Sequence, residues 1–339
     1  MGAYFIHRIF ISIPVLIGIT VIAFFVLASA PGDPVTSLVD PEALGRMSRE
    51  DIETMRQRLG IDGPVYVRYL RWLGLDPLIA PLTGNLDPIR GVLQGEFGYS
   101  IKTGRAIVEE VGPRIGPTLL LMGASILIAL LVGIPFGVVS AVRQYSRLDY
   151  SLTSFSFVMI SIPTFVLGLI LIFLFAVQLR LLPSGGLFTL GKEFDIGSRV
   201  SHVIMPAAIL GLANAAQLMR YTRAGMLDVL SSDYMTTARA KGLRPRVVLL
   251  RHGFRNALIP IVTVIALILP ELVAGAIVTE QVFNWPGMGQ LAVRAAADRD
   301  PSLMMAIVLI VAIAVLVSNL LADFTYSLVD PRVRLDRSP

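Results

Sequence analysis

The segment from Asp233 to Pro260, DYMTTARAKGLRPRVVLLRHGFRNALIP, is a polar, basic stretch between two long apolar runs. That setting predicts a short surface structure at a membrane face. Asp233 can N-cap a helix, Tyr234 to Lys241 fits two helical turns, and Gly242 stands where a left-handed C-cap residue belongs. Tyr234 and Ala238 are four apart and share one face, while Ala240 and Gly242 keep the end of the element slim. Pro245 suits the first turn of a second helix carrying Arg246, Arg251 and Arg255 toward the next apolar run. A small-residue knob tethered between two spans has a shape that fits a partner's groove. A solvated basic loop obeying the positive-inside rule fits the same residues.

Composition sets the class. Hydrophobic residues make up 55% of the 339 and charged residues only 16%, with a mean hydropathy of +0.73, which is too apolar for a soluble chain. The absence of cysteine removes disulfide frameworks and thiolate metal sites. His7, His202 and His252 are far apart, which argues against a zinc or catalytic constellation. No metal, cofactor or catalytic residue is expected. The net charge of +5 does not by itself imply nucleic acid, and no such partner is expected.

Six apolar spans are predicted. Ile9 to Ala30 is free of charge and long enough for the ~20 residues that cross a bilayer core. It exceeds the ~7–15 residues of a signal-peptide core, although Ala28-Ser-Ala30 resembles a cleavage site, and is read as a retained span. Gly116 to Val142 and Ser151 to Leu179 are also charge-free. Val200 to Met219 is weaker, with His202, Asn214 and Gln217 inside it. Asn256 to Thr279 is interrupted by Glu271, and Pro301 to Ala322 closes the set. Pro135, Pro163, Pro206 and Pro270 inside these runs predict kinked, packed helices. Gly133 and Gly137, four apart, permit close helix contact.

Between the first two spans, Ser48 and Asp51 have capping-box spacing ahead of Ile52, Met55 and Leu59, with Gly60 as a stop. Val65 to Leu73 reads as a second helix, and Leu75 to Gly91 as an ordered loop or short lobe. This region lacks clustered catalytic residues and is read as an extracytoplasmic cap on the membrane part.

Orientation follows from the basic residues. With the N-terminus inside, the inner segments hold Arg8, Arg143, Arg147, Arg220, Arg223, the basic residues from Arg239 to Arg255, and Arg332, Arg334 and Arg337. The two short outer loops hold only Arg180, Lys192, Arg199, Arg294 and Arg299. This bias predicts a multi-pass membrane protein with both termini in the cytoplasm and the 233–260 stretch facing it.

Polar groups inside the spans are the candidate substrate pathway. Glu271 would cost ~2.5–3.5 kcal/mol facing lipid, so it should face the pathway, where it could attract an ammonium group, or a subunit interface. Asn214 and Gln217, three apart, could bind amide groups or bond between helices. Glu280 is read as structural, His202 as locally bonded, and Trp285 and Tyr326 as interfacial anchors.

Eight ordered blocks then carry a resemblance. They are Pro31-Gly-Asp-Pro34, Gly95-Glu-Phe-Gly-Tyr-Ser100, Ile162-Pro-Thr-Phe165, Leu182-Pro-Ser-Gly-Gly186, Thr237-Ala-Arg-Ala-Lys-Gly242, Arg255-Asn-Ala-Leu-Ile-Pro260, Val282-Phe-Asn-Trp-Pro-Gly287 and Asp330-Pro-Arg-Val-Arg334. Together they resemble the B-type inner-membrane permease subunit of the dipeptide/oligopeptide/nickel family of ABC importers. The resemblance implies an all-α, six-helix type I ABC importer permease fold. Its parts would be a cytoplasmic start and first helix over 1–30, a cap over 31–115, a five-helix core over 116–328 and a tail over 329–339. It makes 226–255 the cytoplasmic EAA coupling loop, with Asp233, Tyr234, Thr237, Ala238, Ala240, Lys241 and Gly242 contacting an ATPase subunit. Thr236-Thr237-Ala238 departs from the general EAA triplet, and Leu75 to Gly91 looks like an insertion. The implied partners are a second permease subunit, two ATP-binding subunits, an extracytoplasmic substrate-binding protein, a peptide substrate and the lipid bilayer.

Gly186-Leu-Phe-Thr-Leu-Gly191-Lys192-Glu193 imitates a phosphate-binding loop, but glutamate replaces the Mg²⁺-ligating hydroxyl. ATP hydrolysis is therefore expected on other subunits, and the chain is not expected to be an enzyme. Two alternatives stay open: an ion-coupled secondary transporter, although no inverted halves are visible, and the same importer class with nickel or glutathione as cargo.

Overall fold

The computed structural model describes residues 2–29, 46–58, 63–75 and 90–329, except for the side chains of 2–5, 57–58, 259–260, 263, 266–267, 269–275 and 325–329. The Pro31–Pro34 and Asp330–Arg334 blocks, the Gly60 stop and most of the Leu75–Gly91 insertion lie outside the described residues. The described chain is helical apart from loops and an isolated antiparallel bridge between Tyr99 and Ala106. Two compact units divide it: Met1–Phe5, Gly116–Gln290 and Ala314–Pro339 form one, and Ile6–Ile115 with Leu291–Ile313 the other.

The second unit begins with the first apolar helix. α1 spans Gly2–Ala28, and Thr20 on it meets the Tyr69 hydroxyl at 3.0 Å. α2 (Arg49–Arg58) starts on the expected capping box: Ser48 N–H donates to Asp51 Oδ2 at 2.9 Å, and Asp51 N–H to Ser48 Oγ at 3.1 Å. α3 (Val65–Leu73) packs aromatic rings on α1, with Phe24 and Tyr69 centroids 5.4 Å apart at 69°. It stops at Gly74, whose φ of 89° is left-handed, and Gln94 Nε2 fastens the Gly74 carbonyl at 2.9 Å. α1 and α3 are thus locked together by local packing.

The same unit contains the lead-in to the last helix. Asp300 is buried, and its Oδ1 accepts the Leu303 N–H at 3.0 Å, capping α12 (Pro301–Val329). Its Oδ2 accepts the Ser100 hydroxyl at 2.6 Å. Proline at the first helical position costs nothing there, because its missing N–H would have had no intrahelical partner.

In the first unit, α4 (Ile107–Val142, which begins in the second unit) runs 36 residues, about 54 Å at the α-helical rise. α5 (Arg147–Ser161) leads to α6 (Thr164–Leu171), whose end widens into π-helical turns over Ile172–Gln178. The sequence suggested one kinked crossing here. Pro163 instead breaks the helix: Ile162 is extended at φ −88°, ψ 125°, and the two pieces are bent by 101°. A residue before proline is forced out of the α region by the pyrrolidine ring.

α7 (Ile196–Leu230) opens on Asp195, which accepts the Gly197 and Ser198 N–H groups at 3.1 Å each. Its apolar signal is the weakest of the long helices, and 61% of its most apolar window is buried against 6% for α1. The polarity that weakened the sequence signal is therefore tolerated by packing on protein rather than lipid. Gly137 is needed in that packing, since a Cβ there would lie 2.5 Å from Thr222 Cβ. A Cβ on Gly133 would lie 2.8 Å from the Ala215 carbonyl oxygen, so the small-residue spacing on α4 is used in close contact with α7.

Four described helices are long and apolar enough to cross a membrane, or five if α5 and α6 together form one span. The expected span beyond these lies in α10, defined below, many of whose side chains are outside the described residues. Trp285 is not an interfacial anchor: it is completely buried, and its indole N–H donates to the Pro117 carbonyl at 3.0 Å. Tyr326 has a side chain outside the described residues.

Candidate functional site

α8 (Asp233–Ala240) follows α7 after two residues, so its position is tied to the end of that long helix. Ser232, not Asp233, occupies the N-cap. Its hydroxyl turns back to donate to the Val229 carbonyl at 2.6 Å, while Asp233 supplies negative charge in the first turn. The helix ends as the sequence indicated, with Gly242 at φ 71°, and its N–H donates to the Arg239 carbonyl at 3.0 Å.

One face of α8 is seated on its own chain. Met235 and Ala238 are buried with Val248 against Val229 and Leu230. Met235 Cε also packs near Gly253, 3.5 Å from where a Cβ would stand there. Ala238 is therefore covered by its own chain, while Tyr234, four residues before it, is exposed. The exposed face holds Asp233, Tyr234, Thr237, Ala240, Lys241 and Gly242. Thr237 spends its hydroxyl on the Asp233 carbonyl at 3.0 Å, and the small side chains leave Tyr234 the bulkiest apolar group on that face.

The second helix starts at Pro245 as expected, in α9 (Pro245–Val247). It continues through π-helical turns over Val248–Phe254 into α10 (Arg255–Val282). Arg246, Arg251 and Arg255 are exposed. α10 packs its Ala257, Ile261, Val264 and Ile268 with Met122 and Ala141 of α4 and Leu218 and Met226 of α7.

A charged pair next to this element was not anticipated. Arg223 on α7 donates from Nε to Asp149 Oδ1 and from a terminal nitrogen to Oδ2, both at 2.9 Å. The Ser140 hydroxyl of α4 also donates to Oδ1, and the Tyr145 N–H donates to Oδ2 at 2.9 Å. Asp149 is 2% exposed. Such a fork–fork pair has a single geometry, and removing Arg223, whose side chain is 27% exposed, would leave the buried carboxylate without its counter-charge. In the sequence Arg223 has a place only in the positive-inside tally, because a contact across 74 residues leaves no local signal.

The proposed pathway residues are not brought together by any described contact. Asn214 is half-buried and donates to the Leu210 carbonyl of its own helix at 2.7 Å. Gln217 is half-buried, and Glu271 lies in α10 with its side chain outside the described residues. His202 bonds locally, Nδ1 lying 2.7 Å from the Ser198 carbonyl. Glu280 is buried at the end of α10, where Oε1 accepts the Thr118 hydroxyl at 2.8 Å and Oε2 the Gln290 N–H at 3.0 Å. Its N–H-facing carboxylate also starts α11 (Met288–Ala297). Among the described residues, no group of three His, Cys, Asp or Glu could hold a metal ion.

Residues 133–335 match the family model described as binding-protein-dependent transport system inner membrane component, and residues 1–122 match its N-terminal companion. The chain is 45% identical to the oligopeptide transport system permease protein AppB of Bacillus subtilis, over 98% of this chain and 99% of that one. A putative peptide permease protein of Brucella suis is 38% identical over 99% and 100% of the two chains. The glutathione transport system permease protein GsiC of Escherichia coli is 36% identical over 98% of each. Among solved structures, an inward-facing MetNI methionine ABC transporter superposes with a TM-score of 0.56 at 17% identity, covering 66% of this chain and 98% of that chain. That likeness concerns the fold.

Proposed function

The chain belongs to the family of binding-protein-dependent transport system inner membrane components, and from that premise we propose that it passes di- or oligopeptides through a pathway shared with a second permease subunit. It is a multi-pass membrane permease component of an ABC importer, not an enzyme, and ATP hydrolysis belongs to separate subunits. Family membership removes the ion-coupled transporter as an alternative.

The observation that carries the mechanism is α8: a short helix seated by Met235 and Ala238, with an open face of small and polar residues around Tyr234. We assign that face, Asp233, Tyr234, Thr237, Ala240, Lys241 and Gly242, to docking on one of two ATP-binding subunits. Ala238 holds the helix in place from behind. Closure of the ATP-binding subunits then moves α8, and with it α7 and the helix from Pro245 through α10, so that the pathway opens alternately to either side. The arginine bias supports a reading with six spans, α5 and α6 counted as one, and with both termini and α8 in the cytoplasm. The 31–115 segment then faces outward, where a substrate-binding protein delivers cargo. Asn214, Gln217 and Glu271 are the proposed pathway groups.

Peptide cargo is supported by the AppB and Brucella relatives, an oligopeptide and a putative peptide permease, and glutathione, itself a small peptide, by GsiC. The test is Gly242→Arg in the assembled importer: ATP-dependent uptake should be lost while membrane insertion is kept, and unchanged uptake would refute the docking role. Competition by a panel of peptides and glutathione then separates the cargoes.

A further inference from the structure

Two elements touch α8 directly: the end of α7 through Val229 and Leu230, and the π-helical turns through Val248. α5 has no part in that cluster. Its described polar tie to α7 is the fork between Asp149 and Arg223, at 2.9 Å on both oxygens. We propose that this pair is a positioning device through which displacement of α8 is passed from α7 to α5 and the end of α4, so that the three helices turn as one body. The proposal rests on the coupling role of α8 given above.

Three observations carry it. Arg223 lies seven residues before Leu230, about two helical turns from the seat of α8, on a helix that has no break between them. Besides the Thr153 hydroxyl of its own helix, Asp149 gathers donors from three other elements: the Arg223 guanidinium of α7, the Ser140 hydroxyl of α4 and the Tyr145 N–H of the connecting loop. Capping α5 does not account for this, because Ser146 already accepts the Asp149 N–H at the helix start. Tyr145 sits at φ 62°, a conformation rare for a side-chain-bearing residue, and that turn presents its N–H to Asp149 Oδ2. One turn along, Arg220 lies 5.5 Å from the Phe157 ring centroid, a second cationic link between α7 and α5.

Apolar faces can slide past one another, whereas a bidentate guanidinium–carboxylate fork holds one register. Without it, α7 would follow α8 while α5 lagged. Hydrolysis would continue, and the pathway would fail to reopen with each cycle.

The test uses the importer reconstituted in liposomes with its second permease, ATP-binding subunits and binding protein. Uptake and ATP hydrolysis are measured together for Arg223→Lys, Asp149→Asn and the double variant. Uptake per ATP should fall about tenfold, inside the roughly 5–150-fold range of allosteric couplings. The double variant should fall no further than either single one, since residues acting as a unit are not additive. A pair that only holds the fold would reduce the amount of assembled complex, lowering uptake and hydrolysis by one factor, and that unchanged ratio overturns the proposal. Should the variants not assemble, the parent complex decides. Spin labels at Ser154 on α5 and Tyr221 on α7, both exposed, should give one distance distribution with and without a non-hydrolysable nucleotide. A nucleotide-dependent change in that distance also overturns it. A parent chain that does not copurify with ATP-binding subunits fails the coupling reading itself, and this proposal with it.

Discussion

A Cβ placed on Gly287 would lie 2.1 Å from the Oε1 of Glu280, so the loop after α10 closes only because residue 287 has no side chain. The carboxylate fills that space because Thr118 and the Gln290 N–H hold it there, with Trp285 completely buried in the same loop. Val282-Phe-Asn-Trp-Pro-Gly287 is thus a packing motif: a buried acid, a buried indole and a glycine that admits the acid.

Gly287→Ala should therefore destabilise the folded chain by about 1–3 kcal/mol, the usual penalty for forcing extra volume into a packed site. The midpoint of thermal unfolding, measured in detergent, checks it. Gly123→Ala is the control: nothing lies within 4 Å of its Cβ, so the midpoint should hold or rise.

Asp300 joins two jobs in one side chain, capping α12 and accepting the Ser100 hydroxyl. Asp300→Ala should remove an N-cap worth about 0.5–2 kcal/mol and release the Ser100 turn together with it. Hydrogen exchange should accelerate in both 99–104 and the first turn of α12. Faster exchange at the helix alone would mean that the Ser100 contact contributes nothing.

Asp51 gives a pH dependence whose sign follows from its contacts. The Ser48 hydroxyl, and then its backbone N–H, hold the Asp51 carboxyl below its ordinary range. A lowered folded value contributes stability that is full above the unfolded value of about 3.9 and is lost as pH falls through the folded value. The start of α2 should keep its protection at neutral pH and lose it only below about pH 4. Amide exchange at 49–52 followed against pH measures this, and Asp51→Asn should flatten the profile.

How much of this was legible in the sequence depends on how local each cause is. The Ser48–Asp51 box, the left-handed stop at Gly242 and the start at Pro245 are set by neighbours within a few residues, and all three stand where the sequence placed them. The resemblance carried the family because ordered blocks along the whole chain are specific even where single blocks are not. What could not be read was contact between distant segments. Trp285 looked like an interfacial anchor because a tryptophan near a span end gives the same string whether it faces headgroups or the Pro117 carbonyl. Helical spacing puts Ala238 on one face with Tyr234 but does not show that Val229, Leu230 and Val248 cover it. Asp149 gave no signal for its partner on a helix far along the chain, and Pro163 announced a bend without announcing a break of 101°.

The central claim is that the open face of α8 meets an ATP-binding subunit. A photoreactive amino acid in place of Tyr234, 43% exposed in the chain, tests it most directly in the assembled importer. Irradiation should give one covalent adduct of this chain with the ATP-binding subunit, and excess nucleotide should change its yield. Adducts only with lipid or solvent, or labelling of this position from the outer side of sealed vesicles, would contradict the account.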